Sequence, residues 1–108
     1  MSEIKLDFEK MNGLIPAVVQ DIETNEILML AFQNEEAYEK TVETGEVYFF
    51  SRSKQKLWKK GETSGNVLKV VEIITDCDED SVLIKVEHDE NLQACHTGER
   101  TCFFKKIK

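Results

Sequence analysis

The chain has 108 residues, 41% hydrophobic and 32% charged, which suits one core and argues against a disordered chain, so residues 1–108 read as a single domain. A net charge of −7, from 21 acidic and 14 basic residues, disfavours nonspecific nucleic-acid binding. The longest apolar run, Ile27 to Phe32, is too short to cross a bilayer, and Met1–Lys5 carries no basic region leading into an apolar one. The expectation is a cytoplasmic protein with no membrane or nucleic-acid partner.

In chain order, Ala17–Asp21 is apolar and β-branched and reads as a strand after the Gly13–Pro16 turn. Glu26–Phe32 reads as a second strand, joined to the first by the short connection Glu23-Thr24-Asn25. Asn34 is a good N-cap, Glu35 and Glu36 suit a first helical turn, and Gly45 suits the position after the last. One helix over 35–44 follows, with Ala37, Tyr38, Thr41 and Val42 on one side. Val47–Phe50 reads as a buried strand, Val67–Thr75 and Val82–His88 as two more, and Thr101–Lys106 as a final short one. The pattern is α+β: a mostly β domain with one clear helix.

The strands Val67–Thr75 and Val82–His88 are separated by the acidic turn Asp76–Ser81. In it, Asp76-Cys77-Asp78-Glu79-Asp80 surrounds a thiol with four carboxylates, which disfavours the thiolate unless a cation sits there. In extended backbone Asp76, Asp78 and Asp80 share one face, suited to a hard, oxygen-preferring ion such as magnesium, and Cys77 faces the other way. An acidic β-turn with a buried cysteine is the plainer alternative. Three cysteines, Cys77, Cys95 and Cys102, cannot close a disulfide framework among themselves. Cys95 and Cys102 stand seven positions apart around Gly98, a spacing that can bring both sulfurs to one metal. Three protein ligands plus water is the open arrangement of catalytic zinc. His96 is then either a fourth ligand that closes the site or an acid/base beside it. His88 reads as strand surface.

From Ser51 to Gly61 there are five basic residues, Arg52, Lys54, Lys56, Lys59 and Lys60, and no acidic one. The segment 51–66 adds serine and threonine hydroxyls, two glycines and Trp58, groups that can cradle phosphates, although it holds no Walker loop. Trp58 either stacks on a base or fills the core, and the lysines alone would equally suit a solvated loop.

Taken together, the segments Gly-Leu-Ile-Pro-Ala-Val-Val-Gln-Asp (13–21), Leu-Met-Leu-Ala-Phe (28–32), Glu-Thr-Gly-Glu-Val-Tyr-Phe-Phe-Ser-Arg-Ser (43–53), Leu-Trp-Lys-Lys-Gly-Glu-Thr-Ser-Gly-Asn (57–66), Asp-Cys-Asp-Glu-Asp (76–80) and Ala-Cys-His-Thr-Gly-Glu-Arg-Thr-Cys-Phe (94–103) resemble the phosphoribosyl-AMP cyclohydrolase family of histidine biosynthesis. The resemblance implies an intertwined homodimer with one zinc per subunit at the interface, Cys77 coming from one chain and Cys95 and Cys102 from its partner. It implies a magnesium site at Asp76, Asp78 and Asp80. It also implies substrate contacts from Ser51, Arg52, Ser53, Trp58, Lys60, Glu62, Thr63, Ser64 and Asn66. Two residues depart from the family pattern: Glu79 stands where glycine is usual, and Gln33 where methionine is common. The chain stops soon after the last cysteine motif, so the stand-alone form, without the pyrophosphohydrolase domain fused to it elsewhere, is the expectation.

The implied reaction is hydrolysis of the N1–C6 bond of the adenine ring of phosphoribosyl-AMP, with zinc-activated water attacking C6 and His96 moving the proton. A noncatalytic zinc-stabilised module docking an anionic partner is the rival from another class. A nucleotide deaminase is a second rival, but its His-x-Glu and Pro-Cys-x-x-Cys signature is absent.

Overall fold

The structure is a computed structural model that describes residues 4–62 and 64–108. Strand β1 (Ile15–Asp21) alternates strictly between buried and half-buried residues, as a period-two strand with one face on a core must. It pairs antiparallel with β2 (Ile27–Gln33) on one side. The connection is an Asx turn: Asp21 Oδ1 accepts from the backbone N–H of Glu23 at 2.8 Å and of Thr24 at 3.0 Å.

Helix α1 (Glu35–Thr44) has the caps its sequence announces. The Asn34 side chain accepts from Ala37 N at 2.8 Å, and Gly45 closes the helix in the left-handed region at φ 76°. Ala37 and Thr41 are buried, but Val42, expected on the same side, is 56% exposed. Position 42 is one residue past Thr41, about 100° around the helix, and so turns away from the sheet.

Thr41 ties the helix to its neighbours. Its hydroxyl donates to Ala37 O and accepts from Tyr48 N, at 2.8 and 3.0 Å, and from the buried Gln33 Nε2 at 3.0 Å. Gln33 Nε2 also donates to Tyr48 O at 2.8 Å, so this amide stitches β2 to the strand after the helix. Its Oε1 is buried with no hydrogen-bond partner.

That strand, β3 (Tyr48–Ser51), forms a separate hairpin with β4 (Lys56–Lys59). Residues 56–59 belong to the basic segment and carry no strand signal of their own. Lys56, Leu57, Trp58 and Lys59 are a strand because Trp58 pairs with Phe49, their rings 5.2 Å apart against the core. Strands β5 (Val70–Thr75) and β6 (Val82–Val86) complete the main sheet, ordered β2-β1-β6-β5 with β1 and β6 parallel.

The expected tail strand over 101–106 is not formed. Thr101 Oγ1 donates to Ile27 O at 2.6 Å and Cys102 N to Leu28 O at 2.8 Å, two anchors to β2 that do not continue as a ladder. One hydrophobic cluster joins the layers, drawing Ile15, Ala17 and Val19 from β1, Val82, Ile84 and Val86 from β6, Phe49 from β3, and Leu68, Leu92 and Ala94 from loops. The α+β architecture stands. No helix among the described residues is long and apolar enough to cross a membrane.

Candidate active site

Two loops meet over the β3–β4 hairpin. The first is the turn after β4, where Gly65 N donates to Gly61 O at 2.8 Å and folds 61–66 back on itself. Gly61 has φ 87°, and a Cβ there would lie 2.4 Å from both Asn66 C and Val67 N, so only glycine permits this closure. The second is the loop 94–102. It closes through Ala94 N to Arg100 O at 3.2 Å, Cys95 N to Glu99 O at 3.1 Å and Gly98 N to Cys95 O at 3.0 Å.

Between them lies a cavity of about 310 Å³ whose wall includes Trp58, Lys60, Glu62, Ser64 and Asn66 from the first loop and strand, and Cys95 and His96 from the second. Trp58 packs on Phe49 and also lines this wall. Gln93 also lines it, its backbone N–H on Asn66 Oδ1 at 3.3 Å. Sequence reasoning passed over Gln93; its place two residues before Cys95 was the available signal. Ser51 lines a second cavity of about 340 Å³, with Lys54 and Lys56, and Trp58 and Glu62 are common to both. Arg52 and Ser53 line neither: the Arg52 guanidinium lies 4.1 Å from the centre of the Phe32 ring, and Ser53 faces Ser51 across 3.4 Å. Thr63 lies outside the described residues.

Not all the lysines serve as anion contacts. Lys59 Nζ is paired with Glu46 Oε1 at 2.6 Å, which raises its pKa. Lys60 is buried, and its charge acts on both Cys95 and Cys102, favouring the thiolates.

Cys95 is buried and Cys102 exposed, and they are close enough for each to shift the other. The Thr97 hydroxyl, 3.1 Å from Cys95 Sγ, and the Thr97 N–H hold the Cys95 thiol below its usual range. Burial, followed by the charge of Cys95, pushes Cys102 up. A soft cation between two adjoining sulfurs would relieve that conflict, and the donor set suits zinc. Among the described residues the one group of three or more His, Cys, Asp or Glu with ligand atoms mutually within 4.8 Å is Asp76, Asp78 and Asp80. A single chain therefore does not bring Cys77, exposed in the acidic turn, to Cys95 and Cys102.

The aspartates come together for a different reason from the one expected. Residues 76–81 are a turn, not extended backbone, and Glu79 sits in the left-handed region at φ 61°, where a glycine would sit without strain. Asp76 accepts from Ser81 Oγ at 2.6 Å and from the N–H groups of Asp80 and Ser81, and the Ser81 hydroxyl leads in holding its carboxyl well below the usual range. The neighbouring Asp78 pushes Asp80 up. Lys10 Nζ lies 3.1 Å from Asp78 Oδ2 and 3.3 Å from Asp80 Oδ2. The oxygen donors suit magnesium, and an ammonium of the chain's own already neutralises two of them.

His88 is not strand surface. It lies beyond β6, with Nδ1 2.8 Å from Oδ2 of the fully buried Asp21, and the same oxygen accepts from Arg100 Nη2 at 2.8 Å. Burial raises the Asp21 carboxyl, but the Thr24 N–H, His88 and the Glu23 N–H outweigh it and hold the pKa at about 2. Asp21 in turn raises that of His88.

Residues 29–104 match the model of the phosphoribosyl-AMP cyclohydrolase family. A phosphoribosyl-AMP cyclohydrolase of Desulfatibacillum aliphaticivorans is 59% identical over 105 residues, 97% of this chain and 83% of the relative. One of Geotalea uraniireducens is 57% identical over 103 residues, 95% and 82% of the two chains. A histidine biosynthesis bifunctional protein of Bacteroides thetaiotaomicron is 58% identical over 103 residues, covering 95% of this chain and 50% of the relative. The chain belongs to the phosphoribosyl-AMP cyclohydrolase family and is a hydrolase.

Proposed function

We propose that the chain hydrolyses the N1–C6 bond of the adenine ring of phosphoribosyl-AMP, as a zinc-dependent homodimer. The observation that carries this reading is the cavity between the two loops, where the phosphate-cradling groups of the basic segment face Cys95 and His96 across one space. Cys95 and Cys102, with Cys77 of the partner subunit, would hold the zinc. When bound, zinc supplies a water acidified toward neutrality.

The chain's own residues do the rest. Lys60, Ser64 and Asn66 bind one end of the substrate, and Trp58 offers a face to the purine. Lys54 and Lys56, in the adjoining cavity that shares Trp58 and Glu62, take the second phosphate. The phosphoribosyl group on N1 leaves the ring electron-poor at C6. Water adds there, the N1–C6 bond breaks, C6 becomes the carboxamide carbon, and the departing nitrogen needs a proton. His96, exposed on the cavity wall, moves that proton. The acidic turn would hold magnesium once Lys10 gives way, offsetting phosphate charge.

Two surfaces support the homodimer. Ile27 and Leu30 on the edge strand β2, and Phe103 and Phe104 beyond its anchors, are exposed, as are Val71 and Ile74 on the opposite edge strand β5. Turnover of phosphoribosyl-AMP, followed by ultraviolet absorbance before and after chelation with zinc counted in the same samples, tests the function. Activity lost with the zinc and regained on adding it back is expected. Bound zinc with no turnover would favour the anion-docking module instead, and a His96→Asn chain with full turnover would sink the proton role.

A further inference from the structure

The loop carrying Cys95 and Cys102 is closed by its own backbone bonds, but those do not fasten it to the sheet. At one end, Leu92 and Ala94 are buried in the core and fix Cys95. At the other, Arg100 joins the Thr101 and Cys102 anchors to β2 in fastening it. Its Nε donates to Glu26 Oε1 at 2.7 Å, its Nη1 to Asp89 O at 2.7 Å and its Nη2 to Asp21 Oδ2 at 2.8 Å. Asp21 cannot yield, because it is fully buried and its carboxylate also takes the Glu23 and Thr24 N–H groups and His88. Immediately past this clasp, Thr101 and Cys102 bond Ile27 O and Leu28 O. The β1–β2 turn, some 75 positions away in sequence, thereby holds the residue two before Cys102, while β2 holds Thr101 and Cys102 themselves.

We propose that Arg100, held by Asp21 and Glu26, is a positioning residue that sets the Cys95 and Cys102 thiols at the separation needed to share one soft cation. The proposal rests on the reading of these cysteines as a metal pair, yet the separation itself can be measured without metal. A lysine would keep the charge and lose the fork, since one ammonium cannot reach three acceptors set around a planar guanidinium.

The test uses the full chain, in a Cys77→Ser background for the metal-free measurement. Arg100→Met, Arg100→Lys and Glu26→Gln are compared with the parent by two readouts. One is zinc affinity by chelator competition, with the thiolate-to-cobalt(II) absorption band as its spectroscopic check. The other is the rate at which phenylarsine oxide, which must bridge two thiols, is taken up by the metal-free protein. Both Arg100 variants are expected to lose roughly tenfold or more in zinc affinity and to bridge the arsenical more slowly, with Glu26→Gln falling less. A folded Arg100→Met chain that keeps both readouts, even with a lowered melting temperature, overturns the proposal. If that variant does not fold, unchanged bridging in Glu26→Gln overturns it instead. A parent chain that bridges the arsenical but takes no zinc removes the metal reading and leaves the clasp to stand or fall on the bridging rates.

Discussion

Replacing Asp21 by asparagine removes one charge and nearly no volume, and the structure sets the cost. The Asp21 carboxyl, fully buried, is held at about 2 against an ordinary 3.8. A gap of that size is worth about 2 kcal/mol in favour of the ionised form. Asparagine approximates the protonated state, so Asp21→Asn should cost about 2 kcal/mol near neutrality, lowering the melting temperature by roughly 10 °C for a domain of this size. The folded pKa is depressed, so the contribution is complete above 3.8 and is lost as pH falls through about 2. His88 runs the other way: its raised pKa adds stability below its unfolded value that disappears as pH rises through the folded one. Urea unfolding of the parent and the variant, from neutrality down to the acid limit, isolates the Asp21 term because the other carboxylates cancel in the difference. Equal stability at neutral pH, or a penalty that does not shrink in acid, would refute the reasoning.

Other substitutions probe the loops around the site. Gly61→Ala should open the 61–66 turn, because its Cβ would lie 2.4 Å from backbone at 66 and 67; a loss of about 2 kcal/mol or more and weakened substrate binding are expected by melt and titration. Glu79→Gly should stabilise the chain by about 1 kcal/mol, through relief of a left-handed side chain at φ 61°, read as a raised melting temperature. Lys10→Met should tighten manganese(II) binding at the acidic turn, measured by electron paramagnetic resonance, because the ammonium no longer competes for Asp78 and Asp80.

The local signals in the sequence were sufficient where a rule acts over a few residues. Asn34 and Gly45 bracket the helix they announce, and the alternation of β1 and β6 shows in their apolar residues. The Trp58–Asn66 part of the cavity and the Cys95–His96 pair were both legible as motifs, since each is one contiguous stretch. What escaped depends on contacts across the chain. Strand β4 was hidden because its lysines mask a Trp58 that matters only once Phe49 is opposite it. The tail composition suits a strand, but beyond Thr101 and Cys102 it has no ladder to join. The role of His88 turns on Asp21, 67 positions earlier, and that of Arg100 on Asp21 and Glu26, pairings with no local signature. The aspartates are gathered by a turn rather than by strand alternation, a closure that the alternate spacing of 76, 78 and 80 does not itself reveal.

The proposed hydrolytic site joins the Cys95–Cys102 loop of one chain to Cys77 of the partner subunit, beside the cavity walled by Trp58 and Lys60. Mixing two inactive variants by refolding together, Cys77→Ser with Cys95→Ser, tests it most directly. Each variant alone should lack turnover of phosphoribosyl-AMP, while the mixture, in which half the dimers carry one intact centre, should recover roughly a quarter of the parent's activity. Full activity in either variant alone, or a mixture as inactive as its parts although it forms mixed dimers, would contradict the account.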